Sequence, residues 1–223
     1  MKISFTRFFR YGAARAIRNA LMVAFLPLAA MAGDQTRIIA LGDSLTAGYG
    51  LPPEDGLVAQ LNRWLDDQGV AATVINAGVS GDTTAGGLAR LDWALGEGGD
   101  AMIVALGGND MLRGLPVAES RANLDRIMTE AKARGLPVLL AGHQAPANYG
   151  PDWQADFTAI WPELAAAHGA ILVPDMLAAI RAADPASQGA LMQDDGIHPS
   201  AEGVALIVQA LGPKVVDLVG RVQ

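Results

Sequence analysis

The chain has 223 residues, the size of one ordinary domain. Hydrophobic residues make up 51% of it and charged residues 17%, a balance that can bury a substantial core and that excludes disordered, collagen-like and coiled-coil proteins. It contains no cysteine, which excludes disulfides, thiolate metal sites and a cysteine nucleophile. Any covalent catalysis must therefore use an oxygen or nitrogen nucleophile.

Residues 1–32 have the pattern of a secretory signal peptide. Five basic residues and no acidic residue precede an apolar run from Ala20 to Ala32, which ends in the small-x-small sequence AMA. The run is shorter than the ~20 apolar residues that span a bilayer, so a signal cleaved before Gly33 is favoured over a membrane anchor. We expect a periplasmic or secreted protein whose single domain covers residues 33–223.

The charge of the predicted mature chain bears on its partners. Without the five basic residues of the signal, the formal net charge changes from −7 to −12. Nucleic acids and anionic membranes are bound through Lys and Arg, so we expect no nucleic-acid partner and no attraction to an anionic lipid surface. The sequence has neither an H-E-x-x-H zinc motif nor a Walker-type phosphate loop, and we expect no metal or cofactor.

Five short apolar runs alternate with amphipathic stretches along the rest of the chain. Because the runs are too short for helices and rich in Val, Ile and Leu, they predict five buried strands. These strands are Thr36–Leu41, Ala72–Ile75, Ala101–Leu106, Pro137–Ala141 and Ala170–Val173. The predicted helices are Leu57–Asp67, Thr84–Leu95, Ala118–Arg134, Trp153–His168 and Ala201–Val219. This succession predicts an α/β fold, a three-layer α/β/α sandwich with a five-stranded, mainly parallel sheet that binds ligands at the carboxyl ends of its strands.

The loops after the first three predicted strands carry glycines and polar residues. Ser44 stands in GDSLTAG after the first strand, Gly81 in NAGVSGDTT after the second, and Asn109 in GGND after the third. A serine on such a turn is a candidate nucleophile, while a glycine N–H and an asparagine amide are candidate donors to an oxyanion. Taken singly, each of these sequences is also typical of an ordinary turn or helix cap.

A fourth polar sequence, DDGIHPS, precedes the last predicted helix. Asp195 and His198 are three residues apart there, so one loop can supply both a base for the serine and a carboxylate that orients the imidazole. Asp194 is the competing carboxylate. Of the other two histidines, His168 is interpreted as a cap at the end of the fourth helix. His143 follows the fourth strand at the ligand edge of the sheet, where it could contact substrate, but it has no nearby acidic residue to orient it and is interpreted as a loop residue.

In this order the four sequences resemble the blocks of the SGNH or GDSL hydrolase superfamily. The matching sequences are GDSL at 42–45, SGDT at 80–83, GGND at 107–110 and DGIHP at 195–199. Further sequences, among them PANYG, resemble the bacterial periplasmic thioesterase and lysophospholipase branch, also known as arylesterases. The resemblance covers nearly all of the predicted mature chain.

The resemblance implies a serine-dependent hydrolase of carboxylic esters and thioesters. Ser44 would attack the acyl carbonyl, His198 would act as general base and then acid, and Asp195 would orient the imidazole. The backbone N–H groups of Ser44 and Gly81 and the side-chain amide of Asn109 would form the oxyanion hole. A carbohydrate or peptidoglycan O-acetylesterase with the same triad is the alternative, and an exported lipid-binding module without activity is a third hypothesis.

The substrate pocket is predicted from the loops after the third and fourth strands. Leu112, Leu115, Pro146 and Tyr149 would give the acyl site apolar walls, unless they only pack their own loops. We therefore expect a small-molecule acyl ester or thioester substrate with an apolar acyl chain. Asp43 is expected to brace the serine loop rather than to take part in the chemistry.

Overall fold

Short runs of Val, Ile, Leu and Ala form five strands, as the sequence predicts. The strands are β1 Thr36–Gly42, β2 Ala72–Gly78, β3 Ala101–Ala105, β4 Val138–Ala141 and β5 Ile171–Val173. In the computed structural model, which describes residues 35–96 and 98–222, they form one sheet of order β2-β1-β3-β4-β5 with every neighbouring pair parallel. The predicted signal peptide lies outside the described residues.

Helices connect the strands and cover the sheet. They are α1 Ser44–Ala47, α2 Leu57–Asp67, α3 Thr84–Ala89, α4 Leu91–Ala94, α5 Gly108–Leu112, α6 Val117–Ala133, α7 Pro151–His168, α8 Ala178–Arg181, α9 Pro185–Gln188 and α10 Ala201–Val219. Single 3₁₀ turns lie at Pro53–Asp55, Ala147–Tyr149 and Gly189–Leu191. No helix within residues 35–96 and 98–222 is long and apolar enough to cross a membrane.

Alternation along the strands divides the core between the two faces of the sheet. Ile38 and Ala40 of β1 pack into one cluster with apolar side chains of α2 and α10. Ile39 and Leu41 point the other way and pack with α6 and α7. The predicted three-layer α/β/α sandwich is therefore confirmed.

The helix predicted over Thr84–Leu95 is instead two short helices, α3 and α4, which meet at Arg90. There the backbone leaves the helical region, with φ −108° and ψ 11°. The Arg90 guanidinium donates to the carbonyl oxygens of Gly42 at 2.9 Å and Ala77 at 2.8 Å, at the ends of β1 and β2. The helix therefore breaks where Arg90 makes tertiary hydrogen bonds, which the local apolar pattern does not indicate.

The strand order fixes where a ligand site can form. β1 lies between β2 and β3, so the connections from the carboxyl ends of β1 and β3 turn to opposite sides and leave a crevice between them. Ser44 follows β1 at this crevice, and Gly108 and Asn109 follow β3. The first and third sequence blocks therefore meet at one edge of the sheet.

Candidate active site

Ser44 is the first residue of α1, a single helical turn directly after β1. Asp43 caps this turn, since its Oδ1 accepts the N–H of Leu45 at 3.1 Å. The turn packs closely on the end of β2, where a Cβ on Gly78 would lie 2.4 Å from the backbone N of Ala47. Glycine is required at position 78 because only its backbone can approach the serine turn so closely.

Three side chains from distant parts of the chain form a hydrogen-bonded series. Ser44 Oγ lies 2.8 Å from His198 Nε2, and His198 Nδ1 lies 2.6 Å from Asp195 Oδ2. The competing Asp194 is exposed, and the backbone N–H and Nδ1 of His198 bond to Asp195 instead. In this arrangement an imidazole can take the serine proton while a carboxylate stabilises the resulting cation.

The loop before α10 fixes the orientation of His198. Asp195 Oδ1 accepts the N–H groups of Ile197 and His198, both at 2.9 Å. The His198 N–H, the His198 ring and the Ile197 N–H together lower the pKa of Asp195 to about 2. The ring of Tyr49 packs against the imidazole with 4.7 Å between centroids. The carboxylate is therefore ionised throughout the neutral range and holds the ring in place.

The predicted oxyanion donors lie on adjoining segments. Asn109 Nδ2 donates to the backbone carbonyl of Asp82 at 2.9 Å, which ties α5 to the loop that carries Gly81. Gly81 has a φ of +86°, a left-handed conformation that glycine adopts readily, and its carbonyl accepts Arg113 Nη2 at 2.8 Å. Ser44 and Asn109 line the same cavity.

Comparison with known protein families identifies the one to which this chain belongs. Residues 40–206 match the GDSL-like Lipase/Acylhydrolase family, a span that includes all four sequence blocks. The chain belongs to this family of GDSL hydrolases. The family predicted from the sequence is therefore confirmed.

The similarity to individual GDSL hydrolases extends over most of their length. Esterase TesA of Pseudomonas aeruginosa is 39% identical over 205 residues, which cover 92% of this chain and 99% of that protein. Thioesterase 1/protease 1/lysophospholipase L1 of Escherichia coli K12 is 34% identical over 203 residues, covering 90% of this chain and 92% of that protein. The crystal structure of AlinE4, an SGNH-hydrolase family esterase, matches with a TM-score of 0.68 at 45% identity and covers 83% of this chain and 97% of its own.

Asp43 is buried beside the serine of this GDSL hydrolase, with 2% of its surface exposed. Its Oδ1 caps α1, and its Oδ2 lies 3.5 Å from Asn109 Nδ2, at the limit of a hydrogen bond. Burial raises the pKa of Asp43 to about 6, although the bond from the Leu45 N–H acts in the opposite direction. These contacts fit the bracing role expected from the sequence, because one carboxyl group touches both the serine turn and α5.

We expect Asp43→Asn to gain stability relative to the wild type as the pH rises from about 4 to about 7. Between the ordinary pKa of 3.8 and the raised value of about 6, the folded protein binds more protons at Asp43 than the unfolded chain does. Rising pH therefore lowers the wild-type free energy of unfolding, by roughly 2 kcal/mol across this window, whereas the amide does not titrate. Urea unfolding of both proteins across this range measures the effect, and a pH-independent difference would contradict it.

Asn109→Ala is expected to lower kcat about 10²- to 10³-fold, since losing one oxyanion donor typically costs about 2.7 to 4 kcal/mol of barrier. Asn123→Ala is the matched control, because Asn123 Nδ2 donates to Thr84 Oγ1 at 3.1 Å and does not line the cavity beside Ser44. Steady-state ester hydrolysis and thermal unfolding of both variants make the comparison. A folded Asn109→Ala protein with kcat within a few fold of the wild type would remove Asn109 from the oxyanion hole.

A cavity of about 330 Å³ lies beside Ser44. Its wall contains apolar side chains from α5, from the segment after β5 and from the His198 loop. These are Met111, Leu112, Leu177, Ile180, Met192 and Ile197. Such a mostly apolar wall next to a polar series of side chains is typical of a site for a small molecule.

Of the four side chains predicted to line the acyl site, Leu112 lies in the cavity wall and the other three lie outside it. The Tyr149 hydroxyl donates to the carbonyl oxygen of Leu112 at 3.3 Å, an exposed contact outside the cavity. Pro146 is exposed, and Leu115 is half-buried beyond the wall. The loop after β3 therefore contributes Leu112 to the wall, and the loop after β4 contributes neither of its two predicted side chains.

Another part of the wall comes from a segment to which the sequence assigned no role. Leu177, Ile180, Arg181 and Gln188 follow β5 on α8, α9 and their flanking turns. These helices have four residues each, too few to show a helical period in the sequence. The segment follows the last strand at the ligand edge of the sheet, and this position is the sequence signal that could have indicated its place in the cavity wall.

The two remaining histidines occupy very different environments. His168 ends α7, and its Nε2 lies 2.7 Å from Asp125 Oδ1, a surface contact that fits the expected cap. His143 is not simply a loop residue as the sequence favoured. It is buried, and it lines the cavity beside Ser44.

Proposed function

We propose that this protein is a serine-dependent hydrolase of carboxylic esters and thioesters. The observation that carries the proposal is the series Ser44 Oγ to His198 Nε2 at 2.8 Å and His198 Nδ1 to Asp195 Oδ2 at 2.6 Å, beside an apolar cavity. Membership in the GDSL family and similarity to proteins named esterase and thioesterase support the reaction class.

In the proposed reaction, Ser44 Oγ attacks the acyl carbonyl carbon while His198 Nε2 takes the hydroxyl proton. Asp195 stabilises the imidazolium, and the backbone N–H groups of Ser44 and Gly81 with the Asn109 amide bind the negatively charged oxygen. The imidazolium then protonates the departing alcohol or thiol, which leaves an acyl ester on Ser44. Water, deprotonated by the same imidazole, then attacks this ester. The imidazolium returns the proton to Ser44 Oγ as the bond to the acyl carbon breaks, which releases the carboxylic acid and restores the serine.

We propose further that the acyl group is apolar and of short to medium length. The cavity wall contains seven apolar residues, Leu45 and the six named above, and its volume of about 330 Å³ lies at the small end of the range for ligand sites. Esters and thioesters with the same acyl group pass through the same type of tetrahedral intermediate, so one oxyanion site serves both.

The expected site of action is the periplasm or the cell exterior. The basic residues and apolar run of residues 1–32 support export, and so does the small-x-small sequence at their end. An exported enzyme would act on extracytoplasmic esters, away from cytosolic acyl-CoA.

The proposal is tested by hydrolysis of p-nitrophenyl esters from acetyl to palmitoyl, with Ser44→Ala assayed alongside. Serine-dependent activity that is highest on short to medium chains beyond acetyl supports the proposal. Activity restricted to acetyl esters would favour the O-acetylesterase alternative. Equal activity in both proteins, or none in either, would contradict a Ser44 mechanism.

A further inference from the structure

The cavity beside Ser44 contains a buried polar side chain that the proposed mechanism does not use. His143 follows β4, is 6% exposed and lines the cavity. Its Nε2 has no hydrogen-bond partner within residues 35–96 and 98–222. Because a buried polar atom without a partner destabilises the folded protein, such an atom in a cavity wall points to a bond made with a ligand.

The position of the imidazole relates it to the reacting centre. A Cβ on Gly108 would lie 3.6 Å from His143 Nε2 and 3.1 Å from Asp43 Oδ2, so both polar atoms approach the same side of Gly108. Trp161 packs edge-on against the ring, with 5.8 Å between centroids, and limits its rotation. The ring of His143 therefore has a fixed orientation in the cavity wall, with Nε2 buried beside Gly108.

The other polar side chains of this part of the wall already have partners. The Arg181 guanidinium pairs with Asp175, and Gln188 Nε2 donates to the carbonyl oxygens of Arg181 and Ala183 at 3.1 and 3.0 Å. Burial, with a further contribution from the Arg181 charge, lowers the pKa of His143 to about 4. At neutral pH the wall therefore offers an uncharged imidazole, and its guanidinium is already paired with Asp175.

We propose that His143 is a specificity-determining residue that binds a neutral hydroxyl group of the substrate. A hydroxyl both donates and accepts, so it can bond to Nε2 in either tautomer of the neutral ring. A carboxylate would instead carry a charge into an apolar wall whose cation is already paired. The inference rests on the proposed ester hydrolysis and adds the substrate feature that the cavity selects.

The test compares ethyl hexanoate with three hydroxylated esters by pH-stat titration of the released acid. Ethyl 3-hydroxyhexanoate and ethyl 6-hydroxyhexanoate carry the hydroxyl on the acyl group, and 2-hydroxyethyl hexanoate carries it on the alcohol. We expect the wild type to prefer at least one of them over ethyl hexanoate. His143→Leu and His143→Phe should lower that kcat/KM ratio about fivefold to tenfold, the effect of one neutral hydrogen bond. His143→Asn, which keeps a hydrogen-bonding group, should retain part of the preference.

The ratio separates recognition from general damage, because poor folding lowers the rates on both esters equally. His168→Leu is the matched control, since it removes a histidine that bonds Asp125 on the surface, and it should leave every ratio unchanged. Ratios in both apolar His143 variants equal to those of the wild type for all three hydroxylated esters would overturn the inference. Undiminished hydrolysis of ethyl hexanoate by Ser44→Ala would instead overturn the proposed function, so the two failures are distinguishable.

Discussion

Ser44→Ala is expected to lower kcat about 10⁴-fold or more on every ester, the largest effect of any single substitution in this protein. Without the hydroxyl no acyl-enzyme forms, and only direct attack by water remains, assisted by the oxyanion donors and by substrate binding. Ser44 heads a short turn that is capped by Asp43 and packed on Gly78, so alanine fits without rearrangement of the backbone. Initial rates with a p-nitrophenyl ester at saturating concentration measure the loss.

Ser80→Ala is the matched control for this substitution. Ser80 is an exposed serine on the loop that carries Gly81, close to the site but outside the hydrogen-bonded series. Its replacement should leave kcat within about twofold of the wild type, as expected for a surface substitution. A Ser44→Ala protein that keeps a tenth or more of wild-type kcat would show that another group is the nucleophile.

Asp195→Asn is expected to lower kcat about 10³-fold, the second largest effect. An amide cannot stabilise the imidazolium, and it favours the wrong tautomer of the ring, which in a buried triad costs about 10⁴-fold. A smaller loss is expected here because 38% of the Asp195 side chain is exposed and solvent partly replaces the carboxylate. The pKa of about 2 means that the carboxylate is ionised at every pH used for the assay.

Asp194→Asn provides a neighbouring control with the same change of charge. Asp194 is exposed, whereas the backbone N–H and the ring Nδ1 of His198 both bond to Asp195. We expect the kcat of Asp194→Asn to stay within about twofold of the wild-type value, as expected for a surface substitution. Comparable losses of kcat in the two variants would mean that the rate depends on the net charge of the loop. The hydrogen bond between Asp195 and His198 would then have no specific effect on kcat.

Most of the fold was predictable because strong periodic patterns specify it. The helices at Leu57–Asp67 and Ala201–Val219 have the predicted bounds, since their apolar positions repeat at helical spacing and pack on one face of the sheet. The break at Arg90 was not predictable, because it goes with hydrogen bonds to Gly42 and Ala77, residues that are distant in the sequence. Local helix propensity is a weak preference, and tertiary hydrogen bonds of this kind can override it.

The candidate site was predictable in its polar residues and much less so in its wall. The four sequence blocks contain Ser44, Asp195 and His198, which the fold joins in one series of hydrogen bonds. Wall residues such as Ile180 come from helices too short to leave a pattern. The burial of His143 depends on packing against other parts of the chain, which a single sequence does not report.

Covalent labelling by a p-nitrophenyl alkylphosphonate, read out by mass spectrometry of proteolytic peptides, tests the central claim most directly. Such a reagent phosphonylates an activated serine and releases one p-nitrophenol for each site that reacts. We predict one adduct per chain, located on Ser44, with much slower labelling in His198→Ala because the base is missing. A stoichiometric adduct on a different residue, or full ester hydrolysis by a protein that does not label, would contradict a mechanism through Ser44.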